Sequence, residues 1–432
     1  LSATSIRFRR FTPGGTSLRN VAPPVVSSAN TINSVFVPAG VTCGGAKEFD
    51  EFSNTWIPVD VAGGACSDPL VNTPSVLASN SLVVYAVGNR TFEFSGLPQD
   101  GNQVRSISRS PGTVPPAPFV ARGWNSFGNP YPSLLDWSTF DTPGNLAQSP
   151  CIAYVWNSGL NNYGTINTTG VTTNGANNLI APGQGILVRR SSVGTGNVTF
   201  SNAMRAAGST QTFIREAVDV KQEIRLSLRG QTGGDEIMVG SGSSVQTVEK
   251  YFSPDETSVS LFIPSGEEPL TTLVAELGEN YIPVSVVLPS AGTYTLSASS
   301  LTGIPAGSLV MLEDKQLGTF TVLSQGETYE FNGKAGAAAR FALHVQPASE
   351  SRPSAEAHSL IYASGNEVVV RLAQTPETAS VLTIRDMTGK VAGSYTFHGT
   401  GLTEKVNLPT GIYTMSLQSS GTLKTRKVQI NN

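Results

Sequence analysis

The sequence predicts an all-β protein built from tandem β-sandwich domains, jelly-roll or immunoglobulin-like, and three observations predict it. Charged residues make up 14% of the 432-residue chain, well below the roughly 25% of an ordinary soluble domain. Glycine (44) and proline (27) are spread along the chain instead of bunched; with abundant Ser, Thr and Val this suits short strands joined by tight turns. No segment keeps apolar residues at helical spacing for three turns, so no long amphipathic helix is expected.

The length exceeds one ordinary core, and composition places boundaries near 210–220 and in QPASESRPSAEAHS, Gln346 to Ser359. The second stretch combines Pro, Ser, Ala and Glu without alternation, as a linker does. Three regions result: 1–212, 217–346 and 354–432. In the first, TFEFSGL and QVRSISR flank PQDGN, whose Asp100-Gly101 pair signals a hairpin. CIAYVWN and GILVRRS read as alternating, half-buried strands, with APGQG (Ala181 to Gly185) turning into the second. The second region offers eight strands: EIRLSLRG, SVSLFIP, IPVSVVLP, GTYTLSAS, SLVMLED, TFTVL, ETYEFN and RFALHV. The third offers seven: SLIYAS, EVVVRLA, SVLTIRD, VAGSYTF, EKVNL, GIYTMSL and KTRKVQI. These make a small sandwich.

The formal net charge of −3 gives no reason to expect a nucleic-acid partner. From Arg352 onward, however, eight Lys/Arg stand against five Asp/Glu, a net of +3, which leaves −6 for the rest. A basic tail follows an acidic body. The cysteines are Cys43, Cys66 and Cys151. Cys43 and Cys66 share Gly-rich settings; a disulfide between them needs an oxidising compartment, and the alternative is two thiols. No Cys/His spacing suggests a metal. No run of 18 apolar residues offers a membrane helix. The opening LSATSIRFRRF has neither an initiator Met nor a signal-peptide core and reads as mid-strand, as in a mature or trimmed product.

The tail carries three elements in order: IRDMTGKV (Ile384 to Val391), LPTGIYTMSL (Leu408 to Leu417) and the terminal KTRKVQI. In these the third region resembles the type A C-terminal sorting domain of type IX secretion substrates, found on secreted and surface proteins of Bacteroidetes. The family pattern is a strand ending in Asp-x-x-Gly-Lys, then Pro-x-Gly-x-Tyr, then a lysine-bearing last strand. Upstream, GWNSFGNPYPSLLDW and IAPGQGILVRR are similar to the repeated β architecture of large surface proteins of that phylum, and LVMLEDKQLGTFTVLSQGETYEF is similar to the sandwich that commonly precedes the sorting domain in them. The likeness departs at the amino end, where the tryptophan expected near Leu18 is missing. The resemblance implies an immunoglobulin-like sorting domain read by an outer-membrane translocon and its shuttle barrel. The tail would then be retained, or cleaved by a cell-surface sortase that attaches the body to lipopolysaccharide. Cleavage would fall in the Gln346–Ser359 linker, and deleting 354–432 would leave a folded body stranded in the periplasm.

The residues of the tail bear physical readings of their own. Pro409 fixes φ near −65° and Gly411 accepts positive φ, so LPTG reverses the chain. Tyr413, Met415 and Leu417 share one face of the next strand. In the last strand Val428 and Ile430 point inward, Arg426 and Lys424 lie on that face nearer the rim, and Lys427 lies opposite. The lysines guard a sheet edge, and together with Asp386, Gly389, Lys390, Pro409, Gly411 and Tyr413 they offer a docking surface steered by charge.

Catalytic constellations are sparse. His344 falls on a strand, His358 in the linker and His398 beside a Gly-rich turn, none near a nucleophile motif. The acid pairs Asp235-Glu236, Asp255-Glu256 and Glu313-Asp314 read as solvated turn residues; a calcium site would use Asp235 or Asp314, and otherwise no cofactor is expected. Trp124, Tyr131 and Trp137 either plug the core or form a platform for sugar rings. Sequons at Asn89, Asn167 and Asn197 place those residues on loops. The expected protein is a non-enzymatic, exported surface protein of adhesin, coat or stalk type. The alternatives are the accessory C-terminal part of a secreted hydrolase and a carbohydrate-binding module.

Overall fold

The computed structural model describes residues 5–12, 16–27, 35, 45–58, 81–112, 122–140, 146, 151–206, 219–266, 268–277, 280–346 and 359–432. Antiparallel strands dominate, arranged as tandem sandwiches, as the composition requires. The chain divides into two compact units. The first comprises Leu1–Glu276, Val286–Thr302 and Thr328–Ala338; the second comprises Leu277–Ser285, Gly303–Glu327 and Ala339–Asn432.

In the first unit, a four-stranded sheet runs in the order Asn162–Asn167, Ile152–Asn157, Gly185–Arg189, Trp124–Gly128. Its middle strands were expected to be half-buried; they are buried on both faces. Ala153, Val155, Ile186 and Val188 enter one core with Phe127, Leu135 and Phe200. Ile152, Tyr154, Trp156 and Leu187 enter another with Leu18, Val83 and Tyr251. A strand covered on both sides reads as an unbroken apolar run, which is what CIAYVW is. The turn at Asp100-Gly101 forms, with Gly101 at φ +68°, but the expected hairpin does not. Strand Arg90–Pro98 pairs with Ile6–Thr12 and Val25–Val26, whereas Gln103–Arg109 pairs with Gly194–Phe200. Local turn chemistry reverses the chain without choosing its sheet.

The same unit contains a six-stranded sheet in the order Val248–Glu249, Leu270–Val274, Gly234–Ser241, Gln222–Arg229, Gly292–Thr302, Thr328–Gly333. Gly234–Ser241 and Leu270–Val274, which pair in parallel, escaped the sequence reading, as did the short Val248–Glu249. The first opens on Gly-Asp-Glu and so reads as a turn.

In the second unit, strand Leu309–Asp314 lies between Thr319–Val322 and residues Phe341 to Gln346 of strand Gly336–Gln346. From Ser359 to Ile430 come seven strands in two sheets, the expected number. One sheet has the order Ser359–Ser364, Glu367–Leu372, Gly401–Lys405; the other has Val391–Phe397, Ser380–Arg385, Gly411–Ser419, Thr422–Ile430. Ile361, Val368 and Val370 of one meet Leu382, Ile384, Met415, Leu417 and Ile430 of the other in one apolar core.

Candidate docking surface of the C-terminal module

Asp386 to Lys390 closes a tight hairpin. The Asp386 N–H donates to the Lys390 carbonyl at 3.0 Å and the Gly389 N–H donates to the Asp386 carbonyl at 3.0 Å. Oδ1 of Asp386 accepts from Thr388 Oγ1 (2.6 Å) and from the N–H groups of Thr388 (2.9 Å) and Lys390 (3.1 Å). Those bonds, the Thr388 hydroxyl first, hold its carboxyl below the usual aspartate range. Gly389 sits at φ +86° with nothing near its missing Cβ, so backbone conformation is what calls for glycine here. Asp386 therefore builds the loop, and Met387, Thr388 and Lys390 are left exposed on it.

The Pro409–Tyr413 turn works differently from expectation. Gly411 does not take a positive φ. The turn is closed instead by the buried phenol of Tyr413, whose Oη donates to the Pro409 carbonyl at 2.9 Å. This is a tyrosine corner, a device of immunoglobulin-type sandwiches. A second one occurs upstream, where Tyr294 Oη donates to the Ser290 carbonyl at 2.7 Å. The strings SAGTYTLS and PTGIYTMS carried that signal, and the sequence reading passed over it.

Strand register brings the three tail elements together. Val391 pairs with Arg385, Arg385 with Thr414, and Thr414 with Lys427. The Asp386–Lys390 hairpin, the start of Gly411–Ser419 and the last residues of Thr422–Ile430 therefore share one end of the sheet. The chain end is pinned there, the Asn432 N–H donating to Thr410 Oγ1 at 3.0 Å. Pro409, Thr410, Lys390 and Lys427 are exposed. Lys424 points inward along with Arg426, as its face demanded, and its ammonium is engaged: Nζ donates to the Ser359 carbonyl at 2.7 Å and to Gln346 Oε1 at 3.3 Å. Of the three lysines expected to dock, Lys390 and Lys427 are presented and Lys424 is a fastening.

Two of the three acid pairs are not solvated. Asp255 does sit in a turn, where Oδ1 accepts from Thr257. Asp235, Glu313 and Asp314 lie buried in strands at 2%, 0% and 1% exposure. Asp314 receives a bidentate grip from Arg340 at 2.6 and 3.0 Å. Asp235 is ion-paired with Lys250 at 2.6 Å. Both carboxylates considered for calcium are thus matched by a buried cation, and among the described residues no group of three or more His, Cys, Asp and Glu converges.

Glu313 gathers its partners from both sides of the 347–358 segment. His344 Nε2 lies at 2.9 Å, Tyr362 Oη donates to both oxygens at 2.7 and 2.9 Å, and Arg371 Nε stands 3.4 Å away. Tyr281 stacks on Tyr362, with ring centres 4.9 Å apart. Burial pushes the Glu313 carboxyl up, but the bonds from His344 and Tyr362 and the nearby Arg371 guanidinium outweigh it and hold the group ionised, below the usual glutamate range. Burial pushes His344 below the usual imidazole range, with Arg426 and Lys315 adding to that and Glu313 opposing it. The imidazole is neutral and donates through Nε2–H. Both folded-state values are depressed, so the unfolded chain takes up protons first as pH falls. The contribution of these two groups to the stability of the unit is full above about pH 6.5 and is lost progressively below it. The protection of the Ser359–Ser364 amides, taken relative to intrinsic exchange at each pH, should fall on acidification from about pH 7 to about pH 5, and His344→Gln should flatten that slope.

The aromatic platform is overturned. Trp124, Tyr131 and Trp137 are 3%, 0% and 0% exposed, and they belong to two different cores. They present no face on which a sugar could stack. Asn89 is exposed in a turn, but Asn197 lies in a strand and Asn167 is buried at a strand end, against the loops expected for both. His398 is exposed. Cys43, Cys66, His358 and the expected cleavage segment lie outside the described residues.

A family described only as a domain of unknown function, DUF8693, matches residues 76–345. It runs unbroken through the boundary expected near 210–220 and stops one residue short of Gln346, leaving the C-terminal module outside. No curated protein matches the chain. With more than half of its length matched, the chain belongs to the DUF8693 family.

Proposed function

We propose that this chain is a non-enzymatic, exported surface protein of adhesin, coat or stalk type, whose C-terminal module is the address read by a type IX translocon. The observation that carries the reading is the convergence just described. The three tail elements that resemble a type A sorting domain meet at one exposed end of one sheet, with Lys390 and Lys427 on its rim. The turns there are closed by Asp386 and Tyr413, so a receptor would meet a preformed surface and little ordering cost. Cationic rim residues steer encounter with an acidic receptor in a salt-dependent way. The partners would be the translocon, its shuttle barrel and a cell-surface sortase, with lipopolysaccharide as the anchor, and the protein would reside at the outer surface of the outer membrane.

Point variants test this better than deletion, because removing 354–432 would strip Glu313 of Tyr362 and Arg371. In a type IX-competent host, Lys390→Glu with Lys427→Glu should lower the surface-displayed fraction about tenfold, the effect of roughly 1.4 kcal/mol of receptor binding. Circular dichroism of the purified variant should be unchanged, both side chains being exposed. Undiminished display of the folded double variant would refute the reading.

A further inference from the structure

The C-terminal module is not an appendage on a tether. An apolar layer joins it to the strands that precede the 347–358 segment: Met311, Leu309 and Phe320 from one side, Leu360, Tyr362 and Val369 from the other. Beneath that layer sits Glu313, fully buried, with His344 before the segment and Tyr362 and Arg371 after it. At the rim, Gln346 Nε2 donates to the Ser359 carbonyl at 3.0 Å, and Lys424 Nζ reaches both residues. Gln346 and Ser359, which flank the segment, are therefore fastened to each other directly and through Lys424.

We infer that the C-terminal module is bound non-covalently to the strand Leu309–Asp314 and its neighbours, so that cutting the chain between Gln346 and Ser359 nicks the protein without releasing the module. The argument is one of unpaired charge. Separating the pieces would leave the Glu313 carboxylate facing water or protein with His344 alone, and would expose an apolar face on each piece. The covalent link supplies only effective concentration, which an interface of this make-up does not need at ordinary protein concentrations. Glu313 is thus a positioning residue for the module. The inference stands whether or not the module is an export address; if it is one, removal of the label after delivery requires undocking as well as cleavage.

The test uses the full chain with a site-specific protease sequence and a glycine–serine spacer inserted after Ser351. Complete cutting is verified on a denaturing gel. Native size exclusion of the cut protein should show both pieces in one peak, with the uncut elution volume. A separately eluting C-terminal piece would overturn the inference. A second arm cuts Tyr362→Phe and Arg371→Gln variants of the same chain. Each removes a partner of Glu313 while keeping most of the side chain, and each should speed separation of the pieces by about tenfold or more, the uncut variants retaining their circular dichroism. If both cut variants hold together as long as the parent, Glu313 is not what holds the module, and that part of the inference falls.

Discussion

Replacing Trp137 with alanine should destabilise the first unit by about 3–5 kcal/mol, the range for deleting a fully buried tryptophan. Trp137 is 0% exposed. Its indole stacks on Phe140 with centroids 4.4 Å apart and planes 7° apart, and its Nε1 donates to the Cys151 carbonyl at 3.1 Å. The substitution therefore leaves a cavity beside Phe140 in the core of that unit and removes the hydrogen bond to the Cys151 carbonyl. All four tryptophans, Trp56, Trp124, Trp137 and Trp156, lie in this unit. Fluorescence of the remaining three will report its urea midpoint directly. Trp137→Phe should recover much of the loss, since the ring stack survives. A midpoint unchanged by Trp137→Ala would mean that the side chain is not core. The same substitution would be a poor probe of sugar binding, because any lost binding would follow from unfolding.

Lys250→Met should cost a comparable amount, about 3–5 kcal/mol, by leaving a buried carboxylate without its cation. The Asp235 and Lys250 side chains are 0% and 2% exposed. Asp235 also accepts from the Leu261 N–H at 2.6 Å, Asn174 Nδ2 at 2.8 Å and the Glu236 N–H at 2.9 Å. Those bonds orient the carboxylate without neutralising it. Asp235→Asn in the Lys250→Met background removes the orphaned charge and should restore part of the stability. The double-mutant cycle measures the coupling, and additive losses would show that the pair does not act as a pair. Tryptophan fluorescence again isolates the unit.

The fold class was legible because low charge, dispersed glycine and proline, and abundant β-branched residues all point the same way. What the sequence did not show was partnership. The Asp100-Gly101 turn was readable, but strands Arg90–Pro98 and Gln103–Arg109 part to different sheets; turn chemistry is local and sheet membership is not. Asp235 reads as a turn acid because the lysine that justifies its burial lies fifteen residues away. Glu313 needs Tyr362, 49 residues on, and no spacing rule connects them. Of the tail, the order of motifs was visible and so was the facing of Thr422–Ile430. The role given to Gly411 was wrong, because Tyr413 closes that turn through its hydroxyl. The matching string around Tyr294 would have shown it.

The pairing of the earliest strands has a consequence for how the chain acquires its shape. Ile6–Thr12 finds its neighbour in Arg90–Pro98, and Thr16–Val21 finds its own in Leu82–Val87. An isolated bridge carries Val21 on to Gln184. Ordering by such distant contacts spends chain entropy long before any contact repays it, and so it proceeds slowly. As the chain emerges amino end first, those leading strands wait for partners synthesised much later. Their alternating apolar edges need shielding for that interval, whichever compartment supplies it.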